Sequence, residues 1–206
     1  MTPIAALFVR ADSIYKTLPG VDAWDIERDA LCWPGGTPVV AHPPCRAWAS
    51  LRHCAKPRAG EKALALFAIE QVRRWGGVLE HPARSTLWPA AGLPEPGAID
   101  AFGGWTLVVD QYWWGHRARK RTRLYVCGVR PSSIPQMPMA LGEATHTVGL
   151  WSGRDRARCR PSIAKREFES TPPEFARWLV DLANRCRRME RAAWAASTSP
   201  PTCRAS

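Results

Sequence analysis

The feature that most constrains the fold is a short apolar run, residues 38–41, which ends abruptly in His42-Pro43-Pro44-Cys45. The β-branched pair Val39 and Val40 predicts a buried strand. Proline cannot donate to a strand ladder, so the two prolines end that strand at once. Open α/β sheets carry their reactive groups beyond the carboxyl ends of strands, and a nucleophile needs rigid presentation. Two interpretations of Cys45 stay open: a nucleophile on a stiff turn, or a small residue that fills space.

Length and composition predict one α/β domain over residues 1–186, followed by a basic tail over residues 187–206. The chain has 206 residues, of which 46% are apolar, so it can bury a core. No run of eighteen apolar residues and no secretory leader is present, so we expect a cytoplasmic protein without membrane contact. Seven cysteines without a CxxC pair match neither a disulfide framework nor a zinc site, and no metal is expected.

The net charge of +11 favours contact with a polyanion. Lysine and arginine release counterions from a phosphate backbone, so DNA is the expected partner. An arginine-rich composition also follows from genomic GC bias, and that interpretation stays open. From the sequence we make no prediction about protein partners or about the oligomeric state.

Apolar patterning predicts alternating strands and helices. Strands are expected at residues 4–9, 21–26, 38–41, 78–80, 105–110 and 124–129. A short helix is expected at residues 12–16, and longer helices at 61–75 and from 171 onward. Residues 131–165 lack periodicity and are expected to be irregular. This alternation favours a Rossmann-like α/β fold with a mainly parallel sheet.

Three segments share one design, in which constrained or charged polar residues adjoin a short apolar strand. They are VVAHPPC (39–45), VLEHP (78–82) and GHRARKRTRLYVCG (115–128). The carboxyl ends of neighbouring parallel strands meet at one edge of a sheet. The pattern therefore predicts that the thiol of Cys45, the carboxylate of Glu80 and a basic cluster lie close together.

The order of these segments resembles the DNA (cytosine-5) methyltransferases, and most closely the small phage and prophage proteins described as methyltransferase-like. Pro43-Pro44-Cys45 matches the turn that carries the nucleophile in that family. Glu80 stands where the family has a glutamate that hydrogen-bonds the base, and RTRLYVCG resembles its arginine-bearing segment. The resemblance implies that Cys45, Glu80 and Arg123 are catalytic.

The resemblance also implies a shortened sheet of the S-adenosylmethionine-dependent methyltransferase type. About fourteen residues separate Glu27 from His42, which leaves no room for the family's intervening helix and third strand. Residues 131–165 are too few for a full target-recognition domain. The implied cofactor is S-adenosylmethionine, and the turn at residues 7–13, which is rich in glycine in the family, has no glycine here.

Candidate binding residues follow from the same resemblance. The cofactor would be held by Phe8, Asp12, Asp25, Ile26 and Pro43. Of these, Asp25 would bind the ribose hydroxyls and Ile26 would pack on the adenine. Nucleic acid would be held by Arg46, Lys120, Arg121 and Arg123, because the guanidinium fork suits phosphate oxygens and a base carbonyl.

The implied reaction begins when the thiolate of Cys45 adds to C6 of a cytosine that has left the base stack. C5 then becomes nucleophilic toward the methyl group of S-adenosylmethionine, while Glu80 holds the N3 edge and favours its protonation. A positive field from the arginines is expected to lower the pKa of Cys45.

Other functions remain open. The chain is interpreted alternatively as a nucleic-acid-binding module without activity, or as a base- or nucleotide-modifying enzyme that uses Cys45 with another donor. His42, His81 and His116 are expected to make hydrogen bonds within loops, and most tryptophans to pack over loops. Asp110 and Gln111 are given no role.

Overall fold

A six-stranded sheet forms the centre of the protein in the computed structural model, which describes residues 3–50, 52–148 and 160–186. The expected tail at residues 187–206 lies outside the described residues. The strands are β1 (Ile4–Leu7), β2 (Val21–Trp24), β3 (Val39–Ala41), β4 (Gly77–Pro82), β5 (Trp105–Asp110) and β6 (Arg121–Cys127). The helices are α1 (Glu61–Trp75), α2 (Leu87–Ala90), α3 (Lys165–Glu169) and α4 (Pro173–Arg185). Short 3₁₀ helices occupy Ile14–Thr17, Ala30–Cys32, Arg52–Cys54, Gln111–Trp114 and Pro131–Ser133.

The sheet is mostly parallel, with the strand order β2-β1-β3-β4-β6-β5. Strands β2, β1, β3 and β4 run parallel, and β6 lies antiparallel between β4 and β5. The α/β class is therefore confirmed, and the sheet is compatible with a Rossmann-like fold. Strand β6 is antiparallel because only residues 111–120 connect it to β5, and a parallel return needs a longer crossover, usually a helix.

The bounds of α1 and β5 agree with the sequence prediction, but other elements differ. Strand β1 ends at Leu7, since Phe8 has a left-handed φ of 60°. Strand β2 ends at Trp24, because the carboxylate of Asp25 accepts the next backbone N–H groups and turns the chain. Strand β6 starts at Arg121, three residues before the predicted start, because pairing with β4 and β5 extends it.

Alternation along the strands separates two apolar layers. One face of the sheet packs against α4, with Val40, Val78 and Leu124 beneath its Phe175 and Leu179. The other face packs against α1, whose Ala68 and Val72 cover Ala41, Leu79 and Tyr125. On the face that packs against α4, the side chains at the carboxyl ends of the parallel strands are polar.

Candidate functional site at the carboxyl ends of β3 and β4

Cys45 starts a tight turn immediately after β3. Its carbonyl oxygen accepts the backbone N–H groups of Trp48 and Ala49, at 2.9 and 2.8 Å. The thiol is free and half-buried. Its electrostatic neighbours are Glu80, Lys120 and Glu169. The structure thus brings the thiol, the carboxylate and one cation of the basic segment to one sheet edge.

The expectation that a positive field lowers the pKa of Cys45 is wrong. Burial raises the pKa of the thiol, and the carboxylates of Glu80 and Glu169 add to this effect, while the charge of Lys120 opposes it. The guanidinium of Arg46 pairs with the buried Glu61 at 3.0 and 2.5 Å, so its charge is largely compensated there. The resting thiol is therefore protonated at neutral pH.

Glu80 projects from β4 into a shell of donors. Its Oε2 lies 3.0 Å from His42 Nδ1, and its Oε1 accepts from Gln111 Nε2 at 3.2 Å and from the hydroxyl of Thr122. Burial works to raise the pKa of Glu80, but the bond from His42, the charge of Lys120 and the bond from Thr122 together lower it to about 2. Glu80 is accordingly a carboxylate in the free protein.

A buried tyrosine extends this shell. The hydroxyl of Tyr15, in the 3₁₀ helix after β1, lies 2.9 Å from His42 Nε2. Tyr15 is 1% exposed, and burial together with the charge of Glu80 raises its pKa well above the ordinary value. Tyr15, His42 and Glu80 form a continuous hydrogen-bonded chain.

Lys120 is the cation of the basic segment that reaches the site. Its ammonium donates to the carbonyl of Ser170 at 3.2 Å and lies 5.5 Å from the centre of the Phe168 ring. Burial lowers the pKa of Lys120, an effect that Glu80, Cys45 and Glu169 oppose. Lys120 is thus shielded from bulk water and close to the reactive groups.

Arg121 and Arg123 do not join this cluster. A strand alternates its side chains between faces, so residues one position apart point to opposite sides. Thr122 faces Glu80, whereas Arg123 lies on the other face, over the Trp88 ring and 2.7 Å from the carbonyl of Pro94. Arg121 is exposed at the start of β6. Arg123 is thus placed to hold the 94–106 segment against the sheet.

The residues proposed for the cofactor lie at the expected strand ends. Phe8 follows β1 and holds, with φ of 60°, a conformation that favours glycine. Pro43 is buried in the turn before Cys45, and Ile26 is 70% exposed beside the end of β2. Ile26 is available to pack on a ring, whereas Phe8 is half-buried and already packs edge-to-face against Phe67.

The acidic members of that set are already engaged. Asp25 is 3% exposed, and its Oδ1 accepts from the backbone of Glu27 and Arg28 while its Oδ2 lies 2.5 Å from Lys16 Nζ. Asp12 pairs with Arg10 and Arg166. Asp25 therefore does not fit the ribose-binding role that the resemblance implies for it, and the carboxylate of Asp12, the other acidic candidate for S-adenosylmethionine, is held in ion pairs.

Helix α3 lies beside the site, since its Glu169 interacts electrostatically with Cys45 and Lys120. Glu169 pairs with Arg10 at 2.9 Å, and Arg166 pairs with Asp12, so one side of α3 is tied to the segment after β1. On the other side, Glu167 pairs with Arg117 from the segment before β6. Ionic contacts thus join α3 to both rims of the site.

Four site residues received no catalytic role from the sequence: Tyr15, His42, Gln111 and Thr122. Gln111 follows β5, and because β5 is parallel to β4, the strand-end rule that selected Glu80 could also have selected it. Thr122 required the register of β6 against β4. Nothing in the sequence pairs Tyr15 with His42, because their contact depends on the packing of β1 beside β3.

Comparison of the chain with protein-family models, with curated proteins and with solved structures gives no match. Within residues 3–50, 52–148 and 160–186, no group of three or more His, Cys, Asp or Glu side chains is arranged to hold a metal ion. The same residues include no helix that is long and apolar enough to cross a membrane.

Proposed function

We propose that this protein uses Cys45 to attack C6 of a cytosine in DNA, as a DNA (cytosine-5) methyltransferase-like enzyme. The observation that carries the proposal is the convergence of a half-buried thiol, an ionised Glu80 and a shielded Lys120 at the carboxyl ends of neighbouring strands. A module that only binds nucleic acid needs neither the thiol nor the buried carboxylate.

The sheet supports the proposal at the level of topology. The resemblance implies a mainly parallel sheet, and four neighbouring strands of this sheet run parallel. Cys45 follows β3 and Glu80 lies near the end of β4, so both adjoin the carboxyl ends of neighbouring parallel strands. The described residues between β2 and β3 form no further strand, as the shortened sheet of the resemblance implies.

The chemistry that this site can perform is the activation of a pyrimidine. The thiol of Cys45 loses its proton to solvent, its sulfur bonds to C6, and the electron pair of the C5–C6 double bond moves toward C5. Glu80 accepts a hydrogen bond from the amine edge of the base, and Lys120 stabilises the developing negative charge. C5 can then take up a solvent proton, and loss of the original proton and expulsion of the sulfur return the base with an exchanged C5 hydrogen.

S-adenosylmethionine is the methyl donor that the resemblance implies, and it is tested separately because Asp25 does not fit the role implied for it. Isothermal calorimetry gives binding, and labelled donor with mixed-sequence DNA gives transfer. Binding and transfer together would support a methyltransferase. Cys45-dependent exchange of the C5 hydrogen without transfer would favour a base-modifying enzyme with another donor, and DNA binding without exchange would favour a binding module.

The covalent step is tested with DNA that contains 5-fluorocytosine. With S-adenosylmethionine present, we expect a denaturation-resistant adduct with the wild type, because a C5 that carries fluorine and a transferred methyl group has no proton to lose, and none with Cys45→Ala. Cys32→Ala removes an exposed free thiol elsewhere and is the matched control, with undiminished adduct. Exchange of the C5 hydrogen in ordinary cytosine DNA should likewise occur with the wild type and Cys32→Ala and be lost in Cys45→Ala. Absence of both signals in the wild type would overturn the proposal.

A further inference from the structure

We propose that His42 is a positioning residue that holds Glu80 as an oriented carboxylate, and that this makes the site select a base with an amine edge. The inference rests on the proposed function only for the identity of the base. The state of Glu80 itself is a property of the free protein.

The contact with Glu80 fixes the proton on one nitrogen of His42. Glu80 Oε2 can only accept, so His42 Nδ1, 3.0 Å away, carries the proton and donates it. Nε2 lies 2.9 Å from the hydroxyl of Tyr15, which can donate to a bare nitrogen or accept from a protonated one. Every polar atom of the ring is thereby satisfied, and rotation of the ring would break both bonds.

His42 acts on one oxygen of Glu80 and the other donors act on the second. Gln111 and Thr122 both donate to Oε1. Among the described residues, His42 alone donates a hydrogen bond to Oε2. The other charged or titratable groups that interact with Glu80 or lie in the chain are Lys120, Cys45, Tyr15 and His81.

Burial makes the donor from His42 decisive. The side chains of His42 and Glu80 are each 12% exposed, so water cannot replace a lost bond fully. A carboxylate with an unsatisfied oxygen in such a place takes up a proton more readily. Loss of the Nδ1 donor should therefore shift Glu80 toward the acid form.

The protonation state of Glu80 decides which base edge it accepts. A carboxylate accepts from the N4 amine of cytosine, whereas a protonated carboxyl group can donate to the O4 carbonyl of uracil or thymine. By keeping Glu80 ionised, His42 favours cytosine without touching it.

Two isosteric variants separate the nitrogens of His42. The amide of asparagine places a donor at the Nδ1 position, and the amide of glutamine places one at the Nε2 position. We expect His42→Asn to retain the donor to Glu80 and His42→Gln to lose it. Tyr15→Phe removes only the far hydroxyl and keeps the Nδ1 bond.

The first measurement needs no activity: the titration of the Glu80 carboxyl carbon, by ¹³C NMR of the full chain, assigned with Glu80→Gln. We expect no titration above about pH 3.5 in the wild type, His42→Asn and Tyr15→Phe, and a midpoint higher by about one pH unit or more in His42→Gln. Equal titration of the Asn and Gln variants would overturn the proposal. Backbone NMR spectra identify any variant that does not fold. If a His42 variant does not fold, Tyr15→Phe still tests the hydrogen-bonded chain from Tyr15 through His42 to Glu80.

The second measurement, with S-adenosylmethionine present so that a transferred methyl group traps the adduct, is the ratio of adduct formed with 5-fluorocytosine DNA to that formed with 5-fluorouracil DNA. We expect His42→Gln to lower this ratio by roughly tenfold and His42→Asn to lower it far less. An unchanged ratio in His42→Gln would overturn the role in base selection. If the wild type forms no adduct at all, the proposed function fails, while the titration still decides whether His42 sets the state of Glu80.

Discussion

At the residue scale, the thiol of Cys45 lies between opposed charges. Glu80 and Glu169 stabilise the protonated thiol, and Lys120 stabilises the thiolate. Position decides this balance, because the arginines nearby in sequence either pair elsewhere or face away. The sequence predicted that Cys45 and Glu80 lie close together, because the carboxyl ends of neighbouring parallel strands meet at one edge of a sheet. The sign of the electric field at the sulfur could not be predicted in this way, because it depends on which cations are already paired with other groups.

The charge balance predicts opposite effects of two substitutions on the reactivity of Cys45. Lys120→Met keeps the length of the side chain and removes the positive charge, so the pKa of Cys45 rises and alkylation by iodoacetamide at pH 8 slows about threefold or more. Glu169→Gln removes a negative charge and should accelerate it. Mass spectrometry of the Cys45 peptide, with Cys32 as internal reference, gives both rates. Changes in the same direction would contradict an electrostatic cause.

The depressed pKa of Glu80 predicts a loss of stability in acid. Its pKa of about 2 lies below the ordinary 4.5, so its contribution is present above pH 4.5 and is lost as the pH falls toward 2. The full contribution is on the order of 3 kcal/mol. Urea unfolding at pH 7 and pH 3.5 should show a smaller acid loss in Glu80→Gln than in the wild type. An equal loss in both proteins would assign the effect to other carboxylates.

At the element scale, helices α3 and α4 are held by different forces. No residue of α3 is buried, and its contacts to both rims are ionic. Helix α4 buries Phe175, Leu179 and Leu182 against the sheet. Exposed ion pairs weaken in salt and apolar burial does not. The two neighbouring helices should therefore respond differently to ionic strength.

The measurement is amide hydrogen exchange at about 0.05 M and about 0.5 M salt, where the screening length falls severalfold. We expect exchange in residues 165–170 to accelerate at high salt, while the core of α4 stays protected. Glu167→Gln, which removes the pair with Arg117, should accelerate the same segment at low salt. Equal responses of the two helices would show that α3 is held by something other than its ion pairs.

Elements with strong periodicity could be predicted from the sequence. For short strands, the sequence did not show which residues point to which face of the sheet. Helix α1 and strand β5 have the expected bounds because their apolar patterns are long or clear. In β6 the pattern gave the strand but not its register, so Arg121 and Arg123 were taken for the site and Thr122 was missed. A shift of one residue exchanges the two faces of a strand, so a small error in phase changes the chemistry completely.

At the scale of the whole molecule, the net charge of +11 favours DNA as a partner. The position of each arginine relative to the sheet edges decides whether it can contact DNA at the site. Arg121 starts β6 and lies at the edge that carries Cys45 and Glu80. Arg130 follows the antiparallel β6 and lies at the opposite edge. Both side chains are exposed. DNA held over the site would contact the first arginine and not the second.

We therefore expect Arg121→Ala to reduce the salt dependence of DNA binding and Arg130→Ala to leave it unchanged. Each phosphate contact contributes about −0.9 to the slope of log K against log salt, so the loss should be close to one contact. Fluorescence anisotropy at several salt concentrations gives the slope. Equal slopes for all three proteins would place the DNA elsewhere on the surface.

The connection between β5 and β6 has a consequence for how this site can vary. Residues 111–120 link two paired strands, and this one hairpin supplies Gln111, Lys120 and Thr122. Cys45 and His42 come from a different part of the chain. An insertion or deletion in the hairpin would therefore move the two donors to Glu80 Oε1 and the cation beside Cys45 together, and leave Cys45 and His42 in place. The two oxygens of Glu80 are thus supported from separate parts of the chain, which can change independently by mutation or by design.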